Sequence, residues 1–169
     1  MFQSGMTLRL AAGLWLLCWG LAACSLFPQF SGSARMQVEQ LRSLSVCNSE
    51  DAKPRVTLVA DAFALRAWQE GRHVDLLGPA PLPPAGAYVV VEMGQRSSAG
   101  YAIAVSRQAW LSRDLVTLNA SLLTPPADAP AAEVVTSPCA LVALPGGSAY
   151  RGVELRDAGG TLLAETRLP

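Results

Sequence analysis

The stretch 88–105, YVVVEMGQRSSAGYAIAV, constrains the fold more than any other part of this chain. It is a run of β-branched and aromatic residues, then a loop of small residues, then a second alternating segment. Val89, Val91 and Met93 share one face of the first strand, and Tyr101, Ile103 and Val105 share one face of the second. Gly94 and Gly100 bracket the loop, where positive φ or backbone crowding excludes most residues. The local reading is a hairpin with its tip at 94–101, against which later strands are laid.

Those strands carry clear signals. RVTLV at 55–59 is short and β-branched, and 114–123 alternates, with Val116, Leu118, Ala120 and Leu122 inward. CALVAL at 139–144 is a buried strand led in by Pro138, and 152–156 with 161–165 forms a closing hairpin around Ala158-Gly159-Gly160. The segment 36–46 fits a short strand or a helical turn equally well. The period changes over 61–71, where Asp61 is a fitting N-cap, Gly71 a stop, and Ala64, Leu65 and Trp68 recur at helical spacing. Four prolines within 78–86, GPAPLPPAG, exclude helix and central strand and make a stiff connector. The expectation is a mainly β, β-rich α+β domain: one antiparallel β-sandwich or rolled sheet of about six strands with one packed helix.

The first residues specify a destination. An apolar run over 10–23 follows Arg9 and is too short to span a bilayer stably, which is the pattern of a secretory signal. It ends in Leu21-Ala22-Ala23-Cys24, which resembles the lipobox of bacterial lipoproteins. That resemblance implies a signal peptide at 1–23, a diacylglyceryl group on the Cys24 sulfur and further acylation, such as palmitate, of the new N-terminus. Two or more acyl chains hold a protein stably, at about 0.8 kcal/mol per buried methylene, where one is marginal. No Asp follows Cys24, so the family analogy favours the outer membrane, with the domain facing the periplasm or the cell surface. Residues 24–35 read as a flexible tether and 36–169 as a single domain.

Losing the leader removes Arg9 from 13 basic residues and leaves all 13 acidic ones, so the mature chain sits near neutrality. That balance argues against nucleic acid as a partner. Of the four cysteines, Cys18 leaves with the leader and Cys24 takes lipid, which leaves Cys47 and Cys139 as a pair in an oxidising compartment. A disulfide between them is expected.

Enzyme chemistry finds no constellation. His73 is the single histidine and Lys53 the single lysine. No G-x-S-x-G elbow, phosphate-cradling loop or metal-spaced cysteine pair is present. We therefore expect no enzyme, no metal and no cofactor. Function falls to binding, at the loop Gly94, Gln95, Arg96, Ser97, Ser98, Gly100 and Tyr101, where Arg96 offers forked donors and the serines offer hydroxyls.

Across 88–146 the chain resembles the C-terminal domain of PrcB, a protease-complex subunit family. The carrying features, in order, are an apolar strand ending in Met93-Gly94, a small-residue tip entering Gly100-Tyr101, and Thr124-Pro125 after the third strand. Thr136-Ser137-Pro138 then leads into a strand ending in Leu144-Pro145. Where the family has a Pro-Thr-Gly-Gly-Tyr-like run, this chain has Ser97-Ser98-Ala99-Gly100-Tyr101, and Cys139 stands where an aromatic is typical. The resemblance implies a non-catalytic lipoprotein that stabilises or anchors a protease complex through protein–protein contacts. The Gly-Tyr tip is also similar to the binding loop of chagasin-like cysteine-protease inhibitors, a second reading. A third is a structural outer-membrane lipoprotein with no protease partner.

Overall fold

A computed structural model describes residues 32–79, 81–128 and 130–168. Cys24, the signal peptide and most of the tether lie outside the described residues. The chain from Gly32 onward forms one compact unit, with nine strands and one helix among the described residues. The four-stranded sheet has the order β2 (Glu39–Leu44), β7 (Cys139–Leu144), β4 (Ala87–Glu92), β3 (Arg55–Val59). The five-stranded sheet has the order β1 (Ser33–Gln37), β5 (Ala102–Ser112), β6 (Leu115–Leu123), β8 (Gly152–Arg156), β9 (Leu162–Arg167). The domain is mainly β, as its alternating segments predicted.

The pairing overturns the hairpin. β4 lies between β7 and β3 in one sheet, while β5 lies between β1 and β6 in the other. The loop 93–101 is thus a crossover between sheets, not a hairpin tip. The physical reason is visible in β4 itself, where all six residues are buried. A strand covered on both faces belongs in the middle of a sheet with packing on each side. Its Val89 and Val91, with Met93, face the inter-sheet core against Ile103, Val116, Leu118, Val142 and Leu155. Its Tyr88 and Val90 face a second core beneath the helix, with Leu65, Leu76 and Leu141. Each fully buried leucine contributes about 1.5–3 kcal/mol.

Two further expectations are corrected. The ambiguous 36–46 segment is strand throughout most of its length, and pairing begins at Ser33, so the tether ends before residue 35. β1 and β2 form one bent run that changes sheet at Val38, whose N–H donates to Arg107 O at 2.9 Å. Just past this corner the Gln40 amide takes the place of a strand. It accepts from Val105 N at 2.7 Å and donates to Ile103 O at 3.3 Å. The second correction is that one pair, β6 with β8, is parallel. β7 intervenes in the opposite sheet, and that excursion reverses the direction in which β8 returns.

The helix α1 (Ala62–Arg72) begins as predicted, with Asp61 Oδ1 accepting from Ala64 N at 2.8 Å. It does not stop at Gly71. It runs to Arg72 and closes on His73 in the left-handed conformation, φ 54°. Contacts to the last turn explain the extension: Asn48 Nδ2 donates to Arg72 O at 2.9 Å, and Arg72 Nη1 donates to Asn48 O at 3.1 Å.

Candidate functional site

The loop 94–101 is fastened along its length. Gln95 N donates to Asp51 O at 2.7 Å, and Arg96 exchanges backbone bonds of 2.8 and 2.9 Å with Thr136. Thr136 Oγ1 donates to Ser98 O at 2.9 Å, and Ala99 N donates to Ala132 O at 2.9 Å. Gly94 is required where it stands. Its φ is +82°, and a Cβ there would lie 2.6 Å from the Ala52 carbonyl carbon.

Arg96 does not project as a free ligand donor. Its guanidinium donates to three carbonyls: Met93 O at 2.6 Å, Gln95 O at 2.8 Å and Ala52 O at 2.9 Å. It also lies 5.9 Å from the centroid of the Tyr101 ring. Both side chains are half-buried, and Ser98 with them. Gln95, Ser97 and Gly100 are the exposed members. The predicted residues therefore do share one end of the sandwich, but Arg96 and Tyr101 act as scaffold beneath it.

Residues that the sequence reading did not single out complete this surface. Leu123 is paired with Ala102 beside Tyr101. Val134 and Val135 sit between Ala132 and Thr136, both bonded to the loop, and Val46 bridges to Ser137. All four valines and leucines are large exposed apolar groups, with Val135 at 65%. Four of the seven exposed large apolar residues among the described residues thus lie beside the loop, a grouping of the kind that marks contact surfaces, while Phe63 on the helix, Leu162 and Leu168 are the others.

The segments flanking the loop are joined covalently. Cys47 and Cys139 form the expected disulfide, with Cα atoms 6.0 Å apart and a sequence separation of 92. Both are buried. Cys47 N also bonds to Ser137, at 2.9 Å to its carbonyl and 2.9 Å to its hydroxyl. The bridge therefore ties the segment carrying Asp51 and Ala52 to the one carrying Thr136, and those two hold Gln95, Arg96 and Ser98.

A buried charge sits at the base of the loop. Glu92, the last residue of β4, is fully buried among α1, the Cys47 segment and β7. Arg72 Nη2 lies 3.6 Å from its Oε1. Among the described residues neither carboxylate oxygen accepts a hydrogen bond, and the buried Ser49 hydroxyl also lacks a partner. A carboxylate in that setting is tolerated only because of its neighbouring cation. Nothing in the β-pattern flagged it; an acid inside an apolar run, VVVEM, was the available signal.

Among the described residues no three His, Cys, Asp or Glu side chains converge on a common point. His73 is exposed and serves as the helix cap. Among these residues no helix is long and apolar enough to cross a membrane.

No curated protein and no solved structure matches the chain. The PrcB C-terminal family matches at residues 87–145, one residue earlier at each end than the sequence reading placed it. The matched segment takes in β4, the loop, β5, β6, the apolar residues 134 and 135, and β7, ending as that strand ends. It supplies two strands to each sheet, including the doubly buried pair β4 and β7. The segment 87–145, which carries the fastened loop and most of its apolar surround, is thus similar to the PrcB C-terminal family.

Proposed function

We propose that this chain is a non-catalytic accessory subunit of a protease complex, held to the bacterial outer membrane through lipid on Cys24. The observation that carries the reading is the family match over 87–145, which spans the loop and three of the four exposed apolar residues beside it. The contact surface is the end of the sandwich formed by Gln95, Ser97, Leu123, Val134, Val135 and Val46. A scaffold fastened by backbone bonds and a disulfide presents that surface with little conformational entropy to lose on binding. Docking face to face is favoured over insertion into a protease cleft, since the crossover exposes few side chains and Arg96 is committed to three carbonyls.

The test is affinity capture of the full-length chain from detergent-solubilised envelopes after mild crosslinking. The reading expects a protease to co-purify, and Val134→Asp with Val135→Asp to abolish its recovery. Clean capture without any protease overturns it. Labelled palmitate incorporation, lost in Cys24→Ala, tests the anchor independently.

A further inference from the structure

The proline-rich segment beside α1 has a burial pattern that a mere connector does not need. From Pro81 to Ala85 the residues run exposed, half-buried, exposed, exposed, half-buried. Leu82 and Ala85, three apart, pack on the core beneath the helix. Pro81 and Pro84, also three apart, point outward, as does Pro83. A period of three is that of the polyproline II helix, and proline fixes the required φ while restricting the residue before it to extended conformations. No residue from 81 to 85 is in helix or strand.

The ribbon is also held in place. Gly78 N donates to Asp75 Oδ1 at 2.7 Å, and Leu77 N donates to Gln69 Oε1 at 3.0 Å at its start. Tyr88 Oη donates to Pro83 O at 2.9 Å in its middle, and Gly86 N donates to Leu144 O at 2.8 Å at its end. One ridge is thus glued to the domain while two face solvent. Grooves that read polyproline II take two ridges and leave the third facing away. Pro81-x-x-Pro84 supplies the spacing.

We infer that Pro81, Pro83 and Pro84 form a docking ribbon for a partner protein with an aromatic-lined groove that recognises polyproline II segments. The ribbon lies outside the family-matched segment 87–145 and does not depend on the protease reading. It gives the chain a second contact surface, preorganised so that binding costs little ordering.

The probe is an isolated, isotope-labelled SH3 domain that binds PxxP peptides, titrated by NMR with the free peptide 78–86 and with the full-length chain in detergent. Both are expected to shift the same groove resonances, and the double variant Pro81→Ala, Pro84→Ala to weaken binding about tenfold or more in each. Thermal unfolding of that variant should fall only slightly below the parent, because both side chains are exposed and the loss is the unfolded-chain entropy that the two prolines had removed. The inference is overturned if the peptide binds and the chain does not, if neither binds, or if the double variant binds as well as the parent.

Discussion

Replacing Arg72 by methionine removes the one cation that, among the described residues, lies beside a carboxylate with no other partner there. The guanidinium lies 3.6 Å from Glu92 Oε1, and the Arg72 side chain is 21% exposed. At an effective dielectric of about 20, charges at that separation attract by roughly 4–5 kcal/mol, before the cost of desolvating Glu92 is subtracted. Methionine keeps most of the aliphatic stem while losing the guanidinium that lies 5.8 Å from the Trp68 ring centroid, so Arg72→Met chiefly strands the acid, at a cost of about 3–5 kcal/mol. Out of a total of about 5–15 kcal/mol, that is a large share. Glu92→Leu removes the buried charge itself and leaves Arg72 with Asn48 O, the Trp68 ring and solvent. It should cost about 1 kcal/mol or less, and the double variant should lie within about 1 kcal/mol of the parent or above it. Urea unfolding followed by tryptophan fluorescence, in the oxidised chain, gives the four free energies of the cycle. The expected coupling is about 2–4 kcal/mol. If Arg72→Met costs under about 1 kcal/mol, or Glu92→Leu costs as much as Arg72→Met, the account of Glu92 as an acid tolerated only through its cation is wrong.

Gly94→Ala forces a side chain against the Ala52 and Lys53 carbonyls at positive φ, so it should lose about 3 kcal/mol. Gly71→Ala, in the helix with nothing within 4 Å of the added carbon, should gain about 0.5–1 kcal/mol by the same unfolding assay. Cys139→Ala opens a closed loop of some 90 residues and should cost up to about 4–5 kcal/mol on the chain-entropy account. Hydrogen exchange in that variant should speed at Gln95 and Arg96 by about tenfold or more beyond the change at Val90 and Leu141; equal acceleration everywhere would refute a positioning role. The Thr161 backbone N–H beside Asp157 holds its carboxyl below the usual carboxylate range. The lowered folded value means its stabilisation is present above the ordinary carboxylate pKa and is lost as pH falls through the depressed one. Carbon-detected NMR titration should place the Asp157 midpoint below the ordinary aspartate value, and a midpoint at or above that value would contradict the assignment.

What the sequence made legible was everything carried by local period. β3 and β7 fall on their predicted bounds, and β6 starts one residue late, because β-branched runs and clean alternation report burial directly. Asp61 capped α1 as its side-chain chemistry demanded. What it did not make legible was partnership. β4 and β5 are each good strands, yet no local pattern says which sheet a strand joins. The clue was quantitative: β4 is apolar at nearly every position, whereas β5 alternates, and two strands of one hairpin should share a wet face. β1 and β2 went unresolved because their exposed residues, Arg35, Glu39 and Ser43 among them, dilute the pattern.

The position of the candidate loop follows from the sequence in outline, while the surroundings of its side chains do not. The loop 94–101 does lie at one end of the fold among exposed apolar groups. Sequence alone points to Arg96 as a donor facing a partner, since it shows a guanidinium's capacity and not the carbonyls that occupy it. Glu92 was passed over because an isolated acid within a strand reads as an outward position until both faces of that strand are known to be covered.

Site-specific photocrosslinking in living cells tests the central claim most directly. A benzophenone amino acid is placed at Ser97, on the exposed part of the loop, and in parallel at Ser121, exposed on the outer face of the five-stranded sheet. The account predicts an adduct containing a protease subunit from position 97 and none from position 121. No protease adduct from position 97, or equal adducts from both positions, would contradict it.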